Sequence, residues 1–438
     1  MAKIFLAFYN GIKESDKEYA MPPFFESFIK GLKENGNEIF AIMHPDWQAN
    51  FDTIPTNLLN EIKNFNPDVI FLFNNSFYNL TPYFDCPIIV YEVDSPLYYK
   101  NIENIKSNPA RYKFFVSAST SADIIHNEFK VPKKNIIQVP YFTEVKAQNT
   151  KNLYNISFIG SKFRGPHKNL YNKFMETAPS EDERKDFLNL ISKLEENPFL
   201  TEEELFKDVD SEKIKQTFDP YEAVFLLSDY KRINVLSAVA NLGLNIWGNK
   251  RWAKDAYNNH ELILRYHPEP VFSLEDNQFI YNSSKIGINI GHIQAKNGFP
   301  WRIFDVMASN ACLVTEYHGD FKKYFPKLEL PYFSNGWEAR EQCKKLLENE
   351  NYRLDLVHQA QEIVDKNYRF KNILSIIEDY LEINMHDTKE KECRIAKLDQ
   401  WVNTGKKARN KKLKTLKDKL RYKIWSHYNK ILKKKGII

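Results

Sequence analysis

The chain has 438 residues, 43% hydrophobic and 27% charged, which is long enough for two buried cores and rules out a disordered or fibrous protein. Its 62 lysines and arginines against 57 aspartates and glutamates hide an asymmetry: residues 391–438 hold 17 basic and 3 acidic side chains, leaving 45 against 54 in residues 1–390. Cys86, Cys312, Cys343 and Cys393 show no paired spacing, so neither a zinc site nor a disulfide framework is indicated and a reducing compartment fits.

The opening MAKIFLAFYNGIKESDKE has too short an apolar run for a signal peptide, and no stretch reaches the roughly 20 apolar residues of a membrane span; a cytoplasmic protein is expected. Residues 1–150 then alternate strand-like and helix-like segments: KIFLAF, PPFFESFIKGLKENG, EIFAIM, NLLNEIKNF, DVIFLF, PIIVYEV, KFFVSA, SADIIHNEF and NIIQVP. That alternation predicts right-handed parallel crossovers and a doubly wound sheet. Pro22 and Pro23 suit a first helical turn and Gly36 a helix end. The polar stretch 143–152 reads as a domain boundary. A second series begins at NISFIGS (155–161), is interrupted by a charged helical insert at about 165–218, and resumes with YEAVFLLSDYKRINVLSAVANLG, LNIWGN, ELILRYHP, KIGINI, PWRIFDVMASN, CLVTEY and WEAREQCKKLLENE. A second doubly wound sheet is expected over 151–367, a packing helix within 368–390 and a basic tail over 391–438. Ligands of such paired sheets bind at the carboxyl ends of the strands.

In the tail, Leu413, Leu416, Leu420, Ile424, Tyr428 and Ile431 recur at spacings of three or four among lysines, with Trp425 beside them. This is the pattern of an amphipathic basic helix. It suits an anionic membrane surface, and equally docking on the acidic body or self-association; a nucleic-acid partner is not expected.

The most informative stretch is SSKIGINIGHIQAKNGFPWRIFDVMASNACLVTEYHGDFKKYF (283–325), with Asn297, Gly298 and Arg302 in a loop entering a helix. A helix start presents unpaired N–H groups, glycine admits a phosphate to the backbone, Arg302 offers a bidentate partner for a diphosphate, and Asp305 an acceptor for ribose hydroxyls. Taken alone, these residues also fit an ordinary turn and solvated first-turn side chains.

Ser284-Lys285-Ile286, Ile288-Asn289, Arg302, Phe304-Asp305 and Leu313-Val314-Thr315-Glu316-Tyr317 resemble the C-terminal domain of the spore maturation protein CgeB-like glycosyltransferases. ISFIGS and YEVDSPL (91–97) resemble further segments of the same family. The resemblance implies an α/β protein of the GT-B fold, with two Rossmann-like domains facing across a cleft. It further implies a nucleotide-sugar donor held by the C-terminal domain, an acceptor on the N-terminal side, and no required cofactor or metal. Related retaining enzymes carry two glutamates eight residues apart around the donor, where this sequence has Asn297 and Asp305, so the first charge is missing.

Under that reading Gly160, Arg164, His167 and Lys168, which follow the first strand of the second domain, would meet the leaving diphosphate; a basic surface loop is the alternative. Trp247 and Gly248 close a strand at the height of a nucleobase, although a core tryptophan fits as well. His267 and His292 lie at strand ends, His292 directly before the phosphate loop. Asp94, exposed by Ser95-Pro96, is the candidate partner or base for an acceptor hydroxyl, with Glu92 and His44 as weaker alternatives. Asp208-Val209-Asp210 spells a metal-binding Asp-x-Asp but sits in a charge-rich helical segment, so no metal site is expected. The acceptor is read only as a glycan, a lipid-linked sugar or a protein. Rival readings are a GT-B-fold nucleotide-sugar epimerase and a non-catalytic nucleotide-sugar or polyanion binder.

Overall fold

The computed structural model describes residues 2–9, 11–13, 18–44, 54–99, 102–163, 167–218, 220–254, 259–269, 271, 273–294, 297–389 and 391–401. Its strands, in chain order, are β1 (Lys3–Tyr9), β2 (Gly11–Lys13), β3 (Glu18–Ala20), β4 (Glu38–His44), β5 (Val69–Phe73), β6 (Ile88–Tyr91), β7 (Tyr112–Val116) and β8 (Ile136–Gln138). They continue as β9 (Tyr154–Ile159), β10 (Leu244–Trp247), β11 (Tyr266–His267), β12 (Ser284–Asn289), β13 (Cys312–Glu316), β14 (Tyr332–Phe333) and β15 (Cys393–Lys397).

Two parallel sheets result, ordered β15-β4-β1-β5-β6-β7-β8 and β11-β10-β9-β12-β13-β14, while β2 and β3 pair as a small antiparallel ribbon. Strands such as VIFLF are buried at every position because helices cover both faces, which is why they read as unbroken apolar runs. In both sheets the order reverses beside the first strand, at β1 and at β9, and that reversal opens a crevice at the carboxyl ends.

The insert folds into helices His167–Glu176, Glu181–Glu196, Glu202–Phe206 and Glu212–Thr217, packed around its own apolar cluster with Phe174, Phe187 and Leu194. Ser180 and Glu183 form a capping box at the start of the second of these.

The two sheets do not stand apart. One apolar cluster runs from Ile4 and Phe71 in the first unit to Ile303, Phe304 and Leu313 in the second. Phe24 stacks on Trp301 at 5.4 Å, and helix Phe370–Leu381 returns to the first unit, with Phe370 edge-on to Phe28 at 5.6 Å and pressed on Gly31.

The expected tail boundary at 391 is corrected. Cys393–Lys397 pairs with β4 as an edge strand, and Trp401 donates to Glu61 Oε1 at 2.6 Å and packs near Phe40 at 6.2 Å. As befits an edge strand, only Ala396 of it is buried, while Ile395 on the other face is half exposed. The amphipathic stretch from Leu413 to Ile431 lies outside the described residues.

Candidate functional site

In the first sheet, the residues just past β5 and β6 build a carboxylate site. Asn74 and Asn75 adopt left-handed backbone conformations, φ 52° and 58°, which asparagine tolerates better than most residues. This turn aims Asn74 at Asp94: its Oδ1 accepts the N–H groups of Val93 and Asp94 at 2.9 and 3.0 Å, and its Nδ2 donates to Asp94 Oδ2 at 2.7 Å. The other Asp94 oxygen accepts from Gln294 Nε2 of the second unit at 3.0 Å. Burial pushes the Asp94 pKa up, and the bonds from Gln294 and Asn74 pull it back. An oriented carboxylate of raised basicity between the two units is suited to take a hydroxyl proton.

Glu92 serves differently. It accepts from Ser117 N–H at 2.8 Å and from the Ser121 hydroxyl, at the start of helix Ser119–Asn127, and burial raises its pKa to about 7 against those bonds. His44 is fully buried with its ring 5.3 Å from Phe77.

At the carboxyl ends of the second sheet, helix Pro220–Val239 presents Asp229, Lys231 and Arg232 in one run. Lys162 donates to Asp229 at 2.6 Å, with both side chains buried, and Asp229 Oδ1 accepts Phe163 N–H at 3.0 Å. Lys231 donates to Glu316 Oε1 at 2.6 Å, and Glu316 Oε2 accepts Gly291 N–H at 2.9 Å. Burial acts to raise the Glu316 pKa, but Lys231 and the other partners outweigh it and hold the carboxyl below its usual value. Arg232 donates to the Ser161 carbonyl and lies 4.1 Å over the Phe163 ring, while its buried Nε has no partner among the described residues. Arg302, the first residue of helix Arg302–Met307, reaches Asn289 Oδ1 at 3.4 Å and the Phe158 ring at 5.9 Å.

Burial, then the Arg302 charge, draw the Arg232 pKa down to about 9; Asp229 and Glu316 act the other way. Arg232 is thus still a cation at neutral pH, crowded by a second guanidinium. A pair of guanidiniums with an unused buried donor is suited to an anion with several oxygens. His292 packs edge-on to Phe163 and Phe225 at 4.6 and 5.3 Å; burial and then Arg232 and Lys231 lower its pKa to about 3, so it is a neutral imidazole at neutral pH.

Several expected site residues have other partners. Trp247 is buried, stacked on His267 at 4.4 Å and edge-on to Tyr154 at 5.0 Å, so its ring face belongs to the core rather than to a base. Gly248 lies against the Gly160 carbonyl, which also accepts from Trp252 Nε1 at 2.9 Å; both glycines let the ends of β9 and β10 close up. Gly298 meets Ala118 of the first unit, where an added Cβ would sit 2.5 Å from the alanine methyl, and Asn297 Nδ2 faces Ser119 Oγ at 3.4 Å. That loop therefore docks the two units instead of leaving its backbone open to a phosphate. Asp305 is buried and accepts from Thr143 Oγ1 at 2.6 Å; burial raises its pKa to about 6 against that bond and the Arg302 charge. It ties the linker to the second unit, and the bond to Thr143 occupies one of the carboxylate oxygens expected to face a ribose. Lys168 lies on helix His167–Glu176, and Arg164 lies outside the described residues. Asp208 is exposed, 3.6 Å from Lys193, and no group of metal-ligating side chains occurs among the described residues.

Sequence reasoning missed Asn74, Lys162, Asp229, Lys231, Arg232, Gln294 and the ion-pairing of Glu316. One signal was available: Asp229, Lys231 and Arg232 interrupt an otherwise apolar helical run, and such charges need partners.

Residues 231–379 match the family profile described as "Glycosyl transferase-like", a match that opens at Lys231 and ends on helix Phe370–Leu381. No curated protein sequence matches the chain. Solved structures do. A glycosyltransferase from Rickettsia africae shares 10% identity over 87% of this chain and 99% of its own, with a TM-score of 0.50. Sucrose-phosphate synthase from Thermosynechococcus elongatus shares 9% over 87% and 99%, at 0.52. HepE of Anabaena, solved with UDP-glucose, shares 9% over 87% and 100%, at 0.52. At such identities the likeness is one of architecture, and the architecture is the GT-B fold.

Proposed function

We propose that this chain transfers a sugar from a nucleoside-diphosphate sugar to an acceptor hydroxyl, as the CgeB-like family does. The observation that carries the proposal is Arg232, buried beside Arg302 at the carboxyl ends of the second sheet with an Nε that has no partner among the described residues. The donor diphosphate bridges these guanidiniums, within the region that matches the glycosyl transferase-like profile. As the bond to the anomeric carbon breaks, the leaving diphosphate gains negative charge, and fixed cations stabilise that state more than the ground state. Asp94, held by Asn74 and Gln294, receives the acceptor proton from the facing unit. The cations belong to the protein, so turnover proceeds without a divalent metal; inhibition by EDTA that magnesium reverses would overturn that point.

Calorimetry with UDP, other nucleoside diphosphates and their sugars tests the reading. One nucleotide series is expected to bind, and its sugar donor to be consumed only when an acceptor is present. A folded chain that binds none of them defeats the proposal, and return of the donor with inverted stereochemistry would make it an epimerase.

The tail belongs to the same proposal. Residues 402–438 hold the enzyme at an anionic membrane surface on the cytoplasmic side, near a cell-surface glycan under construction. No helix among the described residues is long and apolar enough to cross a membrane. Removing 402–438 leaves β15 in place and is expected to abolish flotation with anionic vesicles at low salt; flotation that persists would assign membrane contact elsewhere.

A further inference from the structure

A cavity lies in the first unit, away from the cation cluster, between the turn Tyr78–Tyr83 and the segment from Asn104 to Tyr112. It measures about 520 Å³, within the range of small-molecule sites. Its lining is unusual in chemistry: tyrosines, amides and hydroxyls, with Arg111 as the one charged residue among ten. One Arg111 nitrogen is committed to the backbone, donating to the carbonyls of Phe84 and Cys86 at 2.6 and 2.7 Å. Among the described lining residues, an anionic ligand would find one partly engaged cation, and a metal ion no carboxylate. A neutral ligand dense in hydroxyl groups fits the lining.

The floor is set by a one-way chain of hydrogen bonds. Asn104 Nδ2 donates to the Tyr112 hydroxyl at 2.6 Å, the Tyr112 and Thr81 hydroxyls lie 3.1 Å apart, and Thr81 donates to the Tyr78 carbonyl at 2.8 Å. Since Thr81 spends its proton on Tyr78, Tyr112 must be the donor to Thr81. Asn75 Nδ2 feeds the chain from behind, donating to Asn104 Oδ1 at 3.3 Å. A floor with its protons already assigned loses little orientational freedom when a ligand settles on it. Tyr83 is 50% exposed; the Lys63 ammonium lies over its ring, 5.2 Å from the centroid, and the rest of the ring is an aromatic surface for the C–H face of a sugar. Asn108 and Ser107 at the rim are exposed polar groups.

The cavity also has a structural link to the cleft. Asn74 and Asn75 are consecutive, and their left-handed turn sends one side chain to Asp94 and the other to the cavity floor. A ligand seated against this floor bears on the same turn that holds the candidate base.

We infer that this cavity binds a neutral oligosaccharide, as a subsite of the first unit separate from the nucleotide pocket. Its use in holding an acceptor chain rests on the transfer reading above; binding itself does not.

The test uses the full chain and three neutral trisaccharides, maltotriose, cellotriose and chitotriose, followed by saturation-transfer NMR and calorimetry, with and without UDP-glucose. At least one trisaccharide is expected to bind alongside UDP-glucose. Tyr83→Ala and Asn108→Ala, both at exposed positions, should each weaken it about fivefold or more, the scale of one lost polar or aromatic contact, with UDP affinity unchanged. Three results would overturn the inference: no trisaccharide binds, binding is untouched in both variants, or UDP-glucose displaces the sugar. A chain that binds a trisaccharide at Tyr83 but no nucleoside diphosphate keeps this inference and removes the transfer reading.

Discussion

The carboxyl ends of the two sheets are built on the same topology and furnished oppositely. Past β5 and β6 stand amides and carboxyls: Asn74, Asn75, Glu92 and Asp94. Around the ends of β9, β12 and β13 stand Lys162, Lys231, Arg232 and Arg302, with Asp229 and Glu316 holding two of the four in ion pairs. The parallel sheet fixes where a site opens, whereas the residues just beyond the strands, and one helix packed against them, fix which charge it favours. One side is suited to accept a proton and the other to hold an anion. The contact of Asp94 with Gln294 brings a member of the acidic side against the loop that follows β12.

The sharpest break of this contrast is Asp94→Asn. We expect the transfer rate to fall by about 10²–10⁴-fold, the usual range for a lost general base, with UDP affinity unchanged. A rate close to that of the unmodified enzyme would remove the base from the first sheet. Next is Lys231→Ala, which leaves Glu316 buried without its cation. Denaturant unfolding should show a loss of about 3–5 kcal/mol, recovered in part when Glu316→Gln is added. An undiminished midpoint would mean that the pair is solvated in practice. Arg302→Ala should weaken UDP and inorganic diphosphate alike by about 1.5–3 kcal/mol, measured by calorimetry; a loss confined to UDP would move Arg302 from the phosphates to the nucleoside.

The smallest effect separates His292 and His318 in the second unit from Glu92 in the first by the sign of their pH response. His292 and His318 have pKa values drawn down to about 3 and about 4, by burial first. Between those values and 6.5 the unfolded chain binds more protons, so their contribution to stability falls as pH falls from 6.5. Glu92, raised to about 7, behaves oppositely: above 4.5 the unfolded chain ionises first, and its contribution falls as pH rises toward 7. Melting curves from pH 4 to 8 should therefore flatten on the acid side in His292→Phe and on the neutral side in Glu92→Gln. Identical curves for both variants would erase the distinction.

Much of the architecture was legible. Runs such as DVIFLF, PIIVYEV and KIGINI announce buried parallel strands, and the Gly/Asn/Pro punctuation between them marks the crossovers. The place of Asp94 beyond β6 was legible, because Ser95-Pro96 ends the extended segment there, but the enclosure of its carboxylate by Asn74 and Gln294, where exposure was expected, was not. The cation cluster was not: Lys231 and Glu316 are 85 residues apart, and ion pairs at that range leave no periodicity. Nor was β15, whose CRIAK sets two charges among three small or apolar residues inside a lysine-rich stretch and looks solvated until β4 supplies an edge. Asn297 and Gly298 misled for a related reason. A glycine before a helix has the same appearance whether a phosphate or an alanine from another unit approaches it.

The pairing of β15 with β4 sets an order of events during synthesis. The first sheet's outer strand is made last, so when β1 and β4 have emerged and found each other, the outer edge of β4 still has no partner. Its backbone groups stay open to other extended chains until residue 397 leaves the ribosome, long after the second sheet has been made. This chain is thus fastened late, by a strand that joins its beginning to its end. Truncation between Leu381 and Cys393 would release a molecule with both Rossmann-like units and an adhesive edge.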